Sequence, residues 1–145
     1  MKNKVILLVE DNARDEVLTL RALKQSGIAN EIIVARDGVE ALDFLFGTAK
    51  FEGRDTKIQP QLILLDLKLP RVDGLQVLTR VRADERTKHL PVVIFTSSSE
   101  QEDMIKSYDL GANSYVRKPV DFEQFSQATR QVGMYWFLLN EAPTP

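Results

Sequence analysis

The chain has 145 residues, enough for one domain whose core buries about 70% of the unfolded surface. Nineteen basic against 21 acidic residues leave a net charge of −2, which argues against a nucleic-acid binder, and the lack of cysteine excludes a disulfide framework and a thiolate metal site. The first apolar run is too short for a signal peptide or a membrane span, so a soluble cytoplasmic protein without membrane attachment is expected.

In chain order, VILLV at 5–9 is a continuous apolar run of the kind found in strands covered on both faces. A helix follows from Ala13, with Val17, Leu20 and Leu23 on its apolar side, Arg14, Asp15, Arg21 and Lys24 on the other, and Gly27 at its end. EIIVA at 31–35 is a second strand, and 38–46 a second helix. The stretch 47–59, GTAKFEGRDTKIQ, is polar and without periodicity, and is expected to be a surface excursion. LILLD at 62–66 is the third strand. The third helix spans 73–83, with Leu75, Leu78 and Val81 inward. PVVIFT at 91–96 is the fourth strand, and 101–110 is a helix stopped by Gly111. SYVRK at 114–118 is a weaker fifth strand. Asp121 caps a last helix to about Asn140, and the tail 141–145 is expected to be disordered. Strands alternating with helices make an α/β domain with a doubly wound parallel sheet.

Ligands of such sheets bind at the carboxyl ends of the strands. The residues there are Glu10 and Asp11 after the first strand, Asp66 after the third, Thr96 and Ser97 after the fourth, and Lys118 after the fifth. Each has a plainer explanation alone: a solvated acid at a strand end, a threonine of high β-propensity, a surface lysine. Their joint placement on four strand ends favours a shared site. Three close carboxylates repel one another and so protonate or bind a hard divalent ion such as Mg2+. A carboxylate can also attack a phosphoryl group, which then needs cations and donors around its oxygens. His89, the sole histidine, has no partner for a triad and is expected to be an exposed loop residue.

The segments ILLVEDN, LILLDLKLPRVDG, VVIFTSS and GANSYVRKP together resemble the receiver domain of bacterial two-component response regulators, over about residues 3–132. The resemblance implies a flavodoxin-like receiver fold of five strands in order 2-1-3-4-5 with five helices, the whole chain 1–145 forming one receiver domain. It implies Asp66 as phosphoacceptor, and Glu10, Asp11, Asp66 and the backbone carbonyl of Lys68 as Mg2+ ligands. Thr96 would be the switch hydroxyl, Lys118 the phosphate contact and Tyr115 the switch aromatic, with a cis Lys118–Pro119 bond. Glu10 stands where many members carry Asp. Loop 47–59, ERTKHLPVVIFTSS and the late YWFLL are similar to the small regulators that pair with phytochrome histidine kinases.

These readings imply a stand-alone phosphoacceptor with a histidine kinase as partner. It is not an enzyme beyond Mg2+-dependent self-phosphorylation and autodephosphorylation. An aspartate-nucleophile phosphatase would want an acid where Lys68 stands. A flavin-binding domain would want a Ser/Thr-rich loop where EDNARDE stands. Finally, Phe122, Phe125, Thr129, Val132, Trp136 and Leu139 follow at coiled-coil spacing, and residues 135–139 are five consecutive large apolar side chains. The early part of that seam is expected to pack on the sheet. The late part, Tyr135, Trp136 and Leu139 above all, is expected to form a homodimer contact.

Overall fold

A computed structural model describes residues 5–27 and 31–141. Five strands, β1 (Val5–Val9), β2 (Glu31–Ala35), β3 (Leu62–Leu65), β4 (Val92–Thr96) and β5 (Ser114–Arg117), form one parallel sheet in the order β2-β1-β3-β4-β5. Helices α1 (Ala13–Ser26), α2 (Gly38–Phe46), α3 (Gly74–Ala83), α4 (Gln101–Asp109) and α5 (Phe122–Gly133) connect or follow the strands. This is the flavodoxin-like receiver topology expected from the sequence.

Side chains alternate between the two faces of a strand, so β1 and β3 each feed two cores. Leu7, Val9, Ile63 and Leu65 pack with Phe44 and Leu45 of α2 and with Val77, Leu78 and Val81 of α3. Ile6, Leu8, Leu62 and Leu64 pack on the opposite face with Leu23 of α1 and with Phe137. Leu18, Phe95 and Phe125 extend that second core between α1 and α5.

Two helices differ in detail from the sequence reading. On α1 the buried arc is Leu18, Thr19, Ala22 and Leu23, while Val17 is 52% exposed. The helix lies against both the sheet and α5, so the small residues Thr19 and Ala22 join the contact and rotate Val17 outward. The last helix is not uniform either. Past Gly133 it widens into a π-helical turn over Met134–Leu139, closed by the Asn140 N–H donating to the Tyr135 carbonyl at 2.7 Å. Its buried line is Phe125, Thr129, Gly133 and Phe137, a step of four each time. Phe137 is therefore core rather than surface, and Phe122, expected to pack on the sheet, is about half exposed. Trp136 is half-buried against the second core, whereas Met134, Tyr135, Leu138 and Leu139 stay outside. The expectation of a disordered tail covers 141–145; of these, 142–145 lie outside the described residues, and Glu141 is exposed.

Loop 47–59 is a surface excursion, but a pinned one. The Arg54 guanidinium donates to the carbonyls of Phe44 and Ile58, both at 2.6 Å, and to that of Leu45 at 3.1 Å. It also sits 4.2 Å from the centre of the Phe44 ring.

Candidate functional site

Strand β1 ends at Val9 and delivers Glu10 into the interior, 2% exposed, while Asp11 remains at the surface. The Glu10 N–H donates to the Ala35 carbonyl, which fixes the backbone where the acid leaves the sheet. Asn12 then caps α1: its Oδ1 accepts from the Asp15 N–H at 3.0 Å.

Asp66 follows β3 directly and is 6% exposed. One oxygen, Oδ1, accepts from the Leu67 N–H at 2.7 Å and more weakly from the Lys68 N–H at 3.4 Å. The chain must turn sharply behind it to start α3. A Cβ on Gly74 would lie 2.2 Å from the Asp66 carbonyl oxygen, so only glycine lets the helix start this close to the acid. Asp73 and Gln76 form a reciprocal capping box around that start.

The buried ammonium of Lys118 ties the site together. Its Nζ lies 2.6 Å from Glu10 Oε1, 2.9 Å from Asp66 Oδ2 and 2.9 Å from Asp15 Oδ2. The Lys118 N–H donates to the Thr96 carbonyl at 2.7 Å, which fixes the lysine beside β4. The Lys118–Pro119 bond is trans, not cis as the resemblance implied. Trans is the intrinsically preferred isomer by about 0.5–1 kcal/mol, and in it the side chain reaches all three carboxylates.

Burial pushes Glu10 up to about 7. The hydrogen bond and charge of Lys118 pull it down, and the charge of Asp66 pushes it further up. For Lys118 burial acts downward, but the carboxylates of Asp66 and Glu10 outweigh it and the ammonium is held well above its ordinary range.

Carboxylate oxygens of Glu10, Asp11 and Asp66 come within 4.8 Å of one another, an all-oxygen donor set suited to a hard divalent cation. Thr96 is fully buried at the end of β4, and its Oγ1 accepts from the Ser98 N–H at 3.4 Å. Tyr115, paired with Ile94 two residues earlier on β4, is half-buried, its hydroxyl donating to the Ser98 carbonyl at 3.1 Å. Lys68 is exposed, and its ammonium lies 3.7 Å from Asp103. Tyr135, Trp136 and Leu139 belong to the π-helical turn, outside this cluster.

Asp15 is the residue the sequence reading missed, having been placed on the polar side of α1. A signal existed: Asp15 lies in the first turn of α1, which starts directly after the acids Glu10 and Asp11 at the end of β1. What could not be read was that β5 would set Lys118 above it.

The model of the response regulator receiver domain matches residues 6–130. Among curated proteins, the chain is 38% identical over 141 residues to a probable methanogenesis regulatory protein, FilR2, of Methanothrix harundinacea, covering 97% of this chain and 88% of that one. Among solved structures, the Mn2+-bound form of response regulator Rcp1 superposes with a TM-score of 0.89 at 37% identity, covering 97% and 99% of the two chains. The phosphorylated cyanobacterial phytochrome response regulator RcpA gives 0.90 at 35% identity, covering 98% and 99%. The bacteriophytochrome response regulator AtBRR gives 0.76 at 51% identity, covering 97% and 100%.

Proposed function

The chain belongs to the response regulator receiver family, and from that premise we propose that it is a stand-alone cytoplasmic receiver, phosphorylated on Asp66 by a histidine kinase of the phytochrome type. The observation that carries this is the setting of Asp66: a carboxylate at the end of a central strand, one oxygen held by backbone N–H groups and the other against a buried ammonium. Relatives that include phytochrome response regulators, one of them solved in phosphorylated form, support the choice of donor.

In this reading the Asp66 oxygen facing Lys118 attacks the phosphorus of a phosphohistidine. An O–P bond forms, the P–N bond breaks, and its electron pair stays on the imidazole nitrogen. Lys118 follows the new phosphoryl oxygens as a point charge, and the Thr96 hydroxyl and Ser97 N–H supply donors. Glu10, Asp11, Asp66 and the Lys68 carbonyl would hold Mg2+, which supplies positive charge against the phosphoryl oxygens. Movement of Thr96 towards the phosphoryl group opens the space into which Tyr115 turns, releasing its bond to the Ser98 carbonyl. The chain catalyses nothing beyond its own phosphorylation and dephosphorylation. A phosphatase reading lacks an acid/base, because Lys68 stands where the second acid would be.

The donor's docking surface is α1 around Arg14 to Leu20 beside the Lys118 loop. Val17 and Val120 are exposed there, and Phe122 partly so. The outward Met134, Tyr135, Leu138 and Leu139, with the half-buried Trp136, support a homodimer contact through the last helix. Incubation with acetyl phosphate tests the core reading. Labelling should require Mg2+ and disappear in Asp66→Asn. Labelling that persists in that variant, or that ignores metal removal, overturns it.

A further inference from the structure

Lys118 has one more carboxylate than the proposed chemistry uses. Glu10 and Asp66 are both assigned to the cation, yet in the structure both are occupied by the lysine ammonium, at 2.6 and 2.9 Å. A divalent ion and an ammonium cannot both sit at short range on the same two acids without strong repulsion. When the charge of these two carboxylates is taken up by the cation, Lys118 must either remain buried without a counter-charge, which is costly, or hold another partner. Asp15 is that partner. Its Oδ2 lies 2.9 Å from the Lys118 Nζ, and its side chain is 15% exposed at the edge of the cluster. Its other oxygen faces Arg14 at 3.9 Å. It sits in the first turn of α1, where a negative charge is favoured by the helix dipole and costs the fold nothing.

We propose that Asp15 is a positioning residue: it retains the Lys118 ammonium when Mg2+ takes Glu10 and Asp66, so that one side chain competes less with the metal and stays within reach of an incoming phosphoryl group. The inference rests on the metal assignment made above. It differs from a general charge effect in one respect, because it acts only through Lys118. Asp15→Asn keeps the shape and one acceptor oxygen, and leaves the Asn12 cap on the Asp15 N–H in place. It removes the charge that lets the ammonium step aside.

The test is a double-mutant cycle on metal binding alone. Mn2+ titrations followed by electron paramagnetic resonance, with Mg2+ as competitor, compare the parent, Asp15→Asn, Lys118→Met and the double variant, each first checked for folding by circular dichroism. The expected result is metal binding about fivefold weaker in Asp15→Asn than in the parent, the scale of one partly exposed ion pair. In the Lys118→Met background the same substitution should change affinity by less than about twofold, because no ammonium remains to be held. An equal loss in both backgrounds shows a mere field effect and overturns the proposal, as does an unchanged or tighter affinity in Asp15→Asn. A parent that binds neither ion overturns the metal assignment itself. Tight binding in the parent with no coupling in the cycle overturns only the role of Asp15.

Discussion

Replacing Lys118 by Met should destabilise the metal-free protein far more than the metal-bound one. The substitution keeps the length of the side chain and removes its charge. Glu10 and Asp66 are then left as two carboxylates whose side chains are 2% and 8% exposed. Removing one partner of a buried ion pair typically costs about 3–5 kcal/mol. The lower end applies here, because Glu10 already titrates near 7 and loses the strongest influence pulling it down, so it escapes by taking a proton. A loss of about 3 kcal/mol lowers the Tm of a domain this size by about 6–12 °C. Saturating Mg2+ supplies the missing positive charge and should recover more than half of that loss. Urea denaturation of parent and variant near pH 7.5, with chelator and with excess Mg2+, measures both quantities. A loss below about 1 kcal/mol without metal, or a loss that Mg2+ leaves untouched, refutes the electrostatic account of the cluster.

Gly74→Ala would place a methyl group 2.2 Å from the Asp66 carbonyl and 2.7 Å from the Leu67 Cα, so it should cost at least about 1–3 kcal/mol and slow phosphorylation by shifting Asp66; denaturant midpoints and labelling rates check it. Sedimentation velocity at micromolar concentration should show a dimer that Leu139→Asp or Tyr135→Asp disperses, and an intact monomer with and without phosphorylation would defeat the helical contact. Hydrogen bonds from the Arg86 guanidinium and N–H hold Asp84 down to about 2 from the ordinary 3.8. A lowered folded-state pKa contributes stability that is present above the unfolded value and is lost as pH falls through the folded one. Stability should therefore decline less steeply between about pH 4 and 2 in Asp84→Asn than in the parent; equal slopes would show that the Arg86 pairing does not persist in solution.

The strand ends were legible because each breaks a local rule. An acid closing the run LILL, and a lysine closing SYVR, make little sense as core residues and good sense as delivered groups. Gly74 was legible only as part of the motif; its reason, a helix starting against the Asp66 carbonyl, is a matter of tertiary approach. Asp15 looked like a solvated helix residue because its partner, just past the end of β5, is 103 positions away in sequence. The last helix misled for a geometric reason. Phe122, Trp136 and Leu139 suggested a seam of steps of three and four, but the π-helical turn carries the buried line at steps of four and turns Phe137 inward. Arg54 was invisible as a structural residue, since its hydrogen bonds go to four backbone carbonyls that no periodicity encodes.

Mapping the phosphoryl acceptor tests the central claim most directly. The protein would be phosphorylated by a panel of autophosphorylated histidine kinases, phytochrome-type and unrelated, then reduced with borohydride, which converts an aspartyl phosphate to homoserine, and sequenced by peptide mass spectrometry. A single conversion at Asp66, fastest with a phytochrome-type donor and absent without Mg2+, is the predicted result. Conversion at Asp11, Asp15 or any other acid in place of Asp66 would contradict the account.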